Sequence, residues 1–139
     1  MRISFRNKLQ LQPANNGHKF EIINPFIIYI GNKDLHIDLT IPAGFWTDFA
    51  SIPKMFQNIL SPLDSHLRAA VLHDYLYYKQ VIDNKPIARA YADKCFLDAM
   101  KTCGTGKIKR EMMYYAVRSF GWITWNKYKN DRIKNKEKK

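Results

Sequence analysis

Cysteine is scarce in this 139-residue chain, which contains only Cys95 and Cys103. Two cysteines are too few for a disulfide framework, and these two stand in no zinc-binding pattern. Cys95 lies among apolar residues of an expected helix, so the sequence predicts a buried free thiol there. A single bridge between the two cysteines is the less favoured alternative.

Long apolar runs are also missing, since no stretch of 18 or more apolar residues occurs. The sequence therefore predicts no membrane-spanning helix. The first residues, MRISFRNKLQLQ, lack the apolar centre of a signal peptide, so we expect the protein to start in the cytoplasm. With 46% hydrophobic residues the chain can still bury a core, and its length suits one domain.

Acidic residues are few, 12 against 23 Lys and Arg, and the imbalance is concentrated near the C-terminus. Residues 101–139 hold 12 basic and 3 acidic residues, a net of +9, whereas residues 1–100 hold 11 and 9, a net of +2. Such a segment fits an anionic membrane surface or cell-wall polymer, with nucleic acid as a weaker option because no nucleic-acid motif is present. A solvated helix end without a partner is an equally simple interpretation.

Apolar periodicity predicts an α+β fold, with an N-terminal three-stranded antiparallel sheet followed by three or four helices. Pro and Gly mark residues 42–53, PAGFWTDFASIP, as an ordered loop, and its aromatic residues predict that this aromatic loop packs onto the core. We expect one domain over residues 1–128 and a basic, disordered tail over 129–139. Four helices are expected. The first spans 53–60, the second runs from a cap at Asp64 or Ser65 to about Gln80, the third runs from Pro86 to about Thr102, and the fourth spans 108–128. In the fourth helix we expect these residues to be buried: Met112, Tyr115, Val117, Phe120 and Ile123.

The pair His73-Asp74 is unusual because it stands in an otherwise apolar helix, where an unpartnered charge is costly. Tyr77 shares a face with His73, and Asp93 lies centrally in the next helix. Antiparallel packing of the two helices would let Asp93 accept hydrogen bonds from both side chains. The imidazole would then be oriented to take a proton from water, so we expect His73, Asp93 and Tyr77 to be catalytic.

Asp74 points to a neighbouring side of the same helix and is left available for a metal. Asp48, in the aromatic loop, is the natural second donor, with loop carbonyls supplying more oxygens. Carboxylate and carbonyl oxygens favour a hard cation over zinc, so the expected cofactor is Ca²⁺.

A purely structural interpretation of these residues remains open. His73 can be a satisfied buried histidine, while Asp74 and Asp93 pair with Arg68 or Arg89. Ser51 is a weak rival nucleophile because it lacks the G-x-S-x-G elbow.

Four blocks in order resemble a family of small phage and prophage proteins of unknown function: GFWTDFASIP (44–53), AAVLHDYLY (69–77), ADKCFLDAM (92–100) and YYAVRSFG (114–121). That resemblance implies a viral or prophage origin, with the protein in the host cytoplasm or the virion. It carries no settled activity.

The helix pair also resembles the active-site helices of secreted phospholipase A2 enzymes, especially the small bacterial type. The similarity lies in HDxxY at residues 73–77 and DxxF at residues 93–96. It implies that His73 is the general base, that Asp93 and Tyr77 orient it, and that Asp74 with Asp48 binds Ca²⁺. This sequence departs from those enzymes in its two cysteines, its missing glycine-rich calcium loop and its N-terminal β region.

The expected function is therefore a phage-encoded, calcium-dependent, phospholipase A2-like hydrolase of lipid esters. Two alternatives stay open: a peptidoglycan hydrolase that uses the same His/Asp site, and a non-enzymatic virion or host-interaction protein.

Overall fold

The structure is a computed structural model that describes residues 1–14, 19–48 and 66–138. The expected helix over 53–60, the caps Asp64 and Ser65, and Ser51 lie outside these residues. The described elements are β1 (Arg2–Phe5), β2 (Leu11–Pro13), β3 (Phe20–Ile22), β4 (Phe26–Gly31), β5 (His36–Ile41), β6 (Trp46–Thr47), α1 (Leu67–Lys79), β7 (Val81–Ile82), β8 (Lys85–Pro86), α2 (Arg89–Thr102), α3 (Lys107–Phe120) and α4 (Trp122–Glu137).

The fold is α+β, with an N-terminal antiparallel sheet of three strands followed by helices, as the sequence predicts. The sheet has the order β1-β4-β5, with Ile3 opposite Ile30 and Ile28 opposite Leu39. Phe26, Ile28 and Ile30 alternate along β4 toward the buried side, which is the period of two expected for a half-buried sheet.

Two stretches of the β region are each divided between two sheets. Residues 2–13 form β1 and β2, and residues 20–31 form β3 and β4, which are divided at Pro25. β2, β3 and β6 form a smaller antiparallel sheet. Asn7 bridges the division, because its side chain donates to the Pro25 carbonyl at 2.8 Å and accepts from the Ile27 amide at 2.9 Å.

The helices begin and end differently from the prediction at three places. Pro86 lies in a short β7–β8 hairpin, whose turn holds Asp83 and Asn84 at positive φ, and α2 begins only at Arg89. The expected helix over 108–128 is divided at Gly121, and α4 then runs on to Glu137, where the sequence predicted a disordered tail. Lys, Arg and Glu are good helix formers, which is the physical reason a polar segment can continue the helix.

The core lies between the three-stranded sheet and the pair α1 and α2. Thr102 on α2 donates to the Ile3 carbonyl of β1 at 2.8 Å, which ties the helix pair to the sheet. The predicted burial within the expected helix over 108–128 is wrong for Met112, Tyr115 and Phe120 of α3 and for Ile123 of α4, all of which are exposed; Val117 is buried as expected. Only a narrow face of α3 packs against α2, so its remaining apolar residues face solvent.

None of the helices within the described ranges combines the length and the apolar character that crossing a bilayer requires.

Candidate active site

The central feature of the site is a face-to-face contact between α1 and α2. His73 lies against Phe96, with ring centroids 4.6 Å apart, and Tyr77 hydrogen-bonds to Asp93. Tyr77, which follows His73 on α1, thus contacts Asp93, which precedes Phe96 on α2. This order of contacts shows that the two helices are antiparallel. The short β7–β8 hairpin makes this arrangement possible, because helices joined by a few residues pack side by side.

Asp93 accepts hydrogen bonds from both residues that the sequence places opposite it. Its Oδ1 atom lies 2.7 Å from His73 Nε2 and 2.6 Å from the Tyr77 hydroxyl. The side chains of Asp93 and His73 are 0% and 1% exposed, so this cluster is closed to bulk water. The two hydrogen bonds fix the orientation of the imidazole ring.

The charge of Asp93 is set by competing effects. Burial on its own would raise the pKa of its carboxyl group, but hydrogen bonds from His73, Tyr77 and Arg118 outweigh burial and hold the pKa below its usual value. An ionised carboxylate only accepts hydrogen bonds, so His73 Nε2 carries the hydrogen that it donates. Burial and the nearby Asp93 raise the pKa of Tyr77, which therefore remains a protonated donor.

Two arginines complete the surroundings of Asp93. Arg118 Nη1 donates to Oδ2 at 2.7 Å, and Arg89 Nη1 donates to the same oxygen at 3.3 Å. Arg89 also donates to the carbonyls of Val117 and Arg118 at 2.9 and 3.2 Å, which fastens the end of α3 to α2. The pairing of Asp93 with Arg89 was left open as a structural alternative, and it coexists with the His73 contact.

Arg118 is the residue of this cluster that the sequence reasoning missed. It lies 25 residues beyond Asp93 on another helix, and no spacing rule within one helix pair can find it. Arg68, the other arginine considered as a partner, stacks over the Phe5 ring, with its guanidinium carbon 4.5 Å from the ring centroid.

Gly121, between α3 and α4, lies directly against the Tyr77 hydroxyl of this cluster. A Cβ atom here would collide with the hydroxyl of buried Tyr77 and with the Val117 carbonyl. Its backbone angles, φ −64° and ψ −19°, would otherwise favour alanine. We therefore expect Gly121→Ala to lower the free energy of unfolding by about 1–3 kcal/mol, measured by urea denaturation, because overpacking displaces Tyr77.

Gly106 provides the matched control, because nothing lies within 4 Å of a Cβ atom at this position and its φ is −58°. Gly106→Ala should change the free energy of unfolding by less than about 1 kcal/mol. A Gly121→Ala protein as stable as Gly106→Ala would show that Tyr77 is not held against Gly121.

Of the two carboxylates predicted to bind a metal, Asp74 lies on the side of α1 next to that of His73, and Asp48 follows β6. Asp74 Oδ2 accepts a hydrogen bond from the Thr47 hydroxyl of β6, and Asp48 is the next residue along the chain. Burial, followed by the carboxylates of Asp74 and Asp48, raises the pKa of Tyr128 on α4 to about 12. Because Asp48 directly follows the threonine that donates to Asp74, the predicted pair lies in the same region.

The donor chemistry of this region suits a hard cation, because the oxygens come from carboxylates and a hydroxyl. Within residues 1–14, 19–48 and 66–138 there is no group of three or more His, Cys, Asp or Glu side chains that could hold a metal ion. Asp74 and Asp48 would therefore have to act together with backbone carbonyls of the loop, as the sequence predicts.

An aromatic cleft opens next to this region. It has a volume of 570 Å³, and its described lining comprises Pro42, Ala43, Gly44, Phe45, Trp46, Tyr75, Tyr78, Lys79 and Tyr128. Phe45 meets Tyr75 edge to face at 5.2 Å, so the loop is packed on α1 as expected. His73 is not among the described residues that line the cleft.

Both cysteines are free thiols, as expected, and Cys95 is buried. Burial and the neighbouring Asp98 raise the pKa of Cys95 to about 12, which makes it unreactive at neutral pH.

The fold and site define an α+β protein built around a buried His–Asp–Tyr cluster. The chain belongs to the family described as "Protein of unknown function (DUF1353)", which matches residues 20–117. That range includes His73, Asp74, Tyr77 and Asp93, and it ends one residue before Arg118.

One curated relative is the "Uncharacterized protein y4iH" of Sinorhizobium fredii (strain NBRC 101917 / NGR234). It is 39% identical over 77 residues, which are 54% of this chain and 30% of that protein. The match thus spans less than a third of the rhizobial protein. No solved structure matches the chain.

Proposed function

We propose that the chain is a hydrolase in which His73 is the general base and Asp93 and Tyr77 orient it. The observation that supports this most is the pair of short contacts on one buried oxygen, 2.7 Å from His73 Nε2 and 2.6 Å from the Tyr77 hydroxyl. With Nε2 donating to a carboxylate, Nδ1 is the nitrogen that takes the proton of the attacking water, and Asp93 stabilises the imidazolium that forms.

The burial of His73 sets a condition on this proposal. Since its side chain is 1% exposed, water and substrate must gain access to the imidazole before the reaction. The aromatic cleft is the proposed approach, because its wall includes Trp46, the neighbour of the Thr47 that hydrogen-bonds to Asp74. Asp74 in turn directly follows His73 on α1. Substrate binding must therefore displace some of the side chains that cover His73.

Asp74 and Asp48 would hold the calcium ion. Such an ion, when bound, polarises an ester carbonyl and offsets the negative charge on its oxygen. Thr47 fixes the Asp74 carboxylate through its hydrogen bond, which presets one of the two donors. Asp48 directly follows the Thr47 that donates to Asp74, and this closeness supports a shared site for one cation.

The proposed substrate class is the ester of a phospholipid, and its support is the HDxxY and DxxF spacing shared with phospholipase A2 enzymes. A phage or prophage origin, with the protein in the host cytoplasm or virion, is likewise a proposal that rests on the four sequence blocks. The same His/Asp site could instead act on peptidoglycan, so both substrates belong in the test.

The test is hydrolysis of labelled phospholipid and of purified cell wall by the whole chain, with calcium and with a chelator. We expect fatty-acid release that requires calcium. Asp74→Asn should weaken calcium binding, measured by titration calorimetry, by at least about tenfold, because one of two carboxylates is lost.

Asp38→Asn serves as the control, because Asp38 pairs with Arg6 on the surface and both side chains are at least half exposed. It should leave calcium binding and turnover unchanged. Release of cell-wall fragments without fatty acid would show that the site hydrolyses peptidoglycan and not phospholipid. Absence of both products would rule out the hydrolase.

A second candidate is a non-enzymatic virion or host-interaction module. It is favoured by the complete enclosure of His73 and by the four donors that meet Asp93, since such a cluster can serve stability alone. Under this proposal His73 and Asp93 are needed for folding, and no turnover occurs on lipid or cell wall.

A further inference from the structure

Among the described residues, the outer face of α3 carries several exposed apolar side chains. Ile108, Met112 and Tyr115 recur at intervals of four and three, so they share one face of the helix. They are 78%, 43% and 66% exposed, respectively. The opposite face, with Met113 and Val117, is buried against α2, so the helix carries apolar side chains on both sides.

The exposed apolar residues continue into the next helix. Gly121 keeps near-helical angles, and Trp122 follows Tyr115 by seven residues, which returns it to the same side. Trp122 and Ile123 are 52% and 57% exposed. We call Ile108, Met112, Tyr115, Trp122 and Ile123 the apolar stripe.

We propose that the apolar stripe docks on the surface of an anionic lipid bilayer. A tryptophan, a tyrosine and aliphatic side chains next to lysines are the composition of helices that lie in the membrane interface. The stripe lies in the 101–139 segment with its net charge of +9, and exposed Lys107, Lys127 and Lys129 flank it in sequence. Lysines at this position are attracted to anionic headgroups.

The same charge argues against a second copy of the chain as the occupant. Pairing two stripes would bring two segments of +9 together, and like charges in contact are destabilising. Nucleic acid would meet the positive charge, but phosphates gain nothing from Ile108, Met112 or Ile123. A bilayer satisfies both the charge and the apolar side chains. This surface does not depend on the proposed hydrolase, since none of its residues contacts His73 or Asp93 in the described contacts.

The test is co-sedimentation of the whole chain with vesicles of phosphatidylglycerol and phosphatidylcholine, compared with vesicles of phosphatidylcholine alone. We expect binding to the anionic vesicles that weakens as salt is added. The doubly substituted variant Ile108→Ser with Tyr115→Ser should lose at least about tenfold in vesicle affinity, because two exposed apolar side chains no longer enter the interface. Both residues are mostly exposed, so the variant should keep its fold.

Ile23→Ser is the matched control, because Ile23 is an exposed apolar residue of similar size next to β3, at 45%. It should bind vesicles like the wild type. Trp122 gives a direct signal: its fluorescence should shift to the blue with anionic vesicles, and Trp122→Phe should remove most of that shift.

Equal vesicle affinity of the stripe variant and Ile23→Ser would overturn the proposal, as would absence of binding to anionic vesicles. A stripe variant that changes only self-association, or DNA binding, would assign the surface to those partners instead. His73→Gln should still bind vesicles, so a failed hydrolase proposal and a failed docking proposal give different results.

Discussion

Replacing Asp93 by alanine is expected to lower the free energy of unfolding by about 3–5 kcal/mol. The substitution removes the one acceptor shared by His73, Tyr77, Arg89 and Arg118. His73 and Tyr77 are fully buried, and a buried donor left without an acceptor costs about 1–3 kcal/mol. The two arginines are 20% and 33% exposed and can turn toward water, so they contribute less. Urea denaturation followed by circular dichroism measures the loss.

The surface pair of Arg6 and Asp38 offers the comparison, since its side chains are 50% and 55% exposed. Asp38→Ala should cost no more than about 1 kcal/mol. Equal losses for the two variants would mean that the Asp93 cluster does not hold the helices together.

Urea denaturation of the wild type and Asp93→Ala at several pH values tests whether the negative charge of Asp93 causes the loss of stability. The pKa of Asp93 is lowered in the folded protein from an ordinary value of 3.8, so its stabilising effect is complete above that value. The effect is lost as the pH falls through the lowered folded value. The difference between the wild type and Asp93→Ala should therefore be widest at pH above about 4 and narrow in more acidic solution.

Much of the site could be predicted from periodicity within one helix pair. His73 and Tyr77 are four residues apart on one helix, and a short connection forces the next helix to return alongside it. Together these two facts place Asp93 within reach of both side chains. The α+β class followed from period two before residue 42 and longer apolar periods after residue 66.

The parts of the site and of the helix burial that were not predicted depend on contacts between elements far apart in the sequence. Arg118 reaches Asp93 from α3, and its position follows only from how that helix packs on α2. The apolar residues of α3 lie on two faces, and sequence alone cannot tell which face meets the core. For that reason Met112 and Tyr115 were predicted to be buried, although the buried face carries Met113 and Val117.

The calcium prediction depends on the aromatic loop. Thr47 and Asp48 lie next to α1 because Phe45 packs against Tyr75 and Tyr78, which anchors the loop by its aromatic residues. Aromatic residues in a loop bounded by Pro and Gly were the signal that it packs on the core. The hydrogen bond from Thr47 to Asp74 had no such signal, since threonine in a loop is common.

His73→Gln is expected to have a turnover about 10²–10⁴-fold lower than that of the wild type on the substrate that the wild type hydrolyses, which is the usual contribution of a general base. Glutamine can still donate an amide hydrogen to Asp93, so the buried carboxylate keeps a donor, but it cannot take a proton from water. The variant should therefore stay folded and lose activity, which separates catalysis from stability. His36→Gln is the control, because His36 is exposed and its ring nitrogen pairs with the Tyr29 hydroxyl at 2.8 Å. A folded His73→Gln protein with wild-type turnover would exclude His73 as the base.

If the wild type has no turnover and His73→Gln is instead strongly destabilised, the cluster is structural and the interaction-module proposal takes precedence.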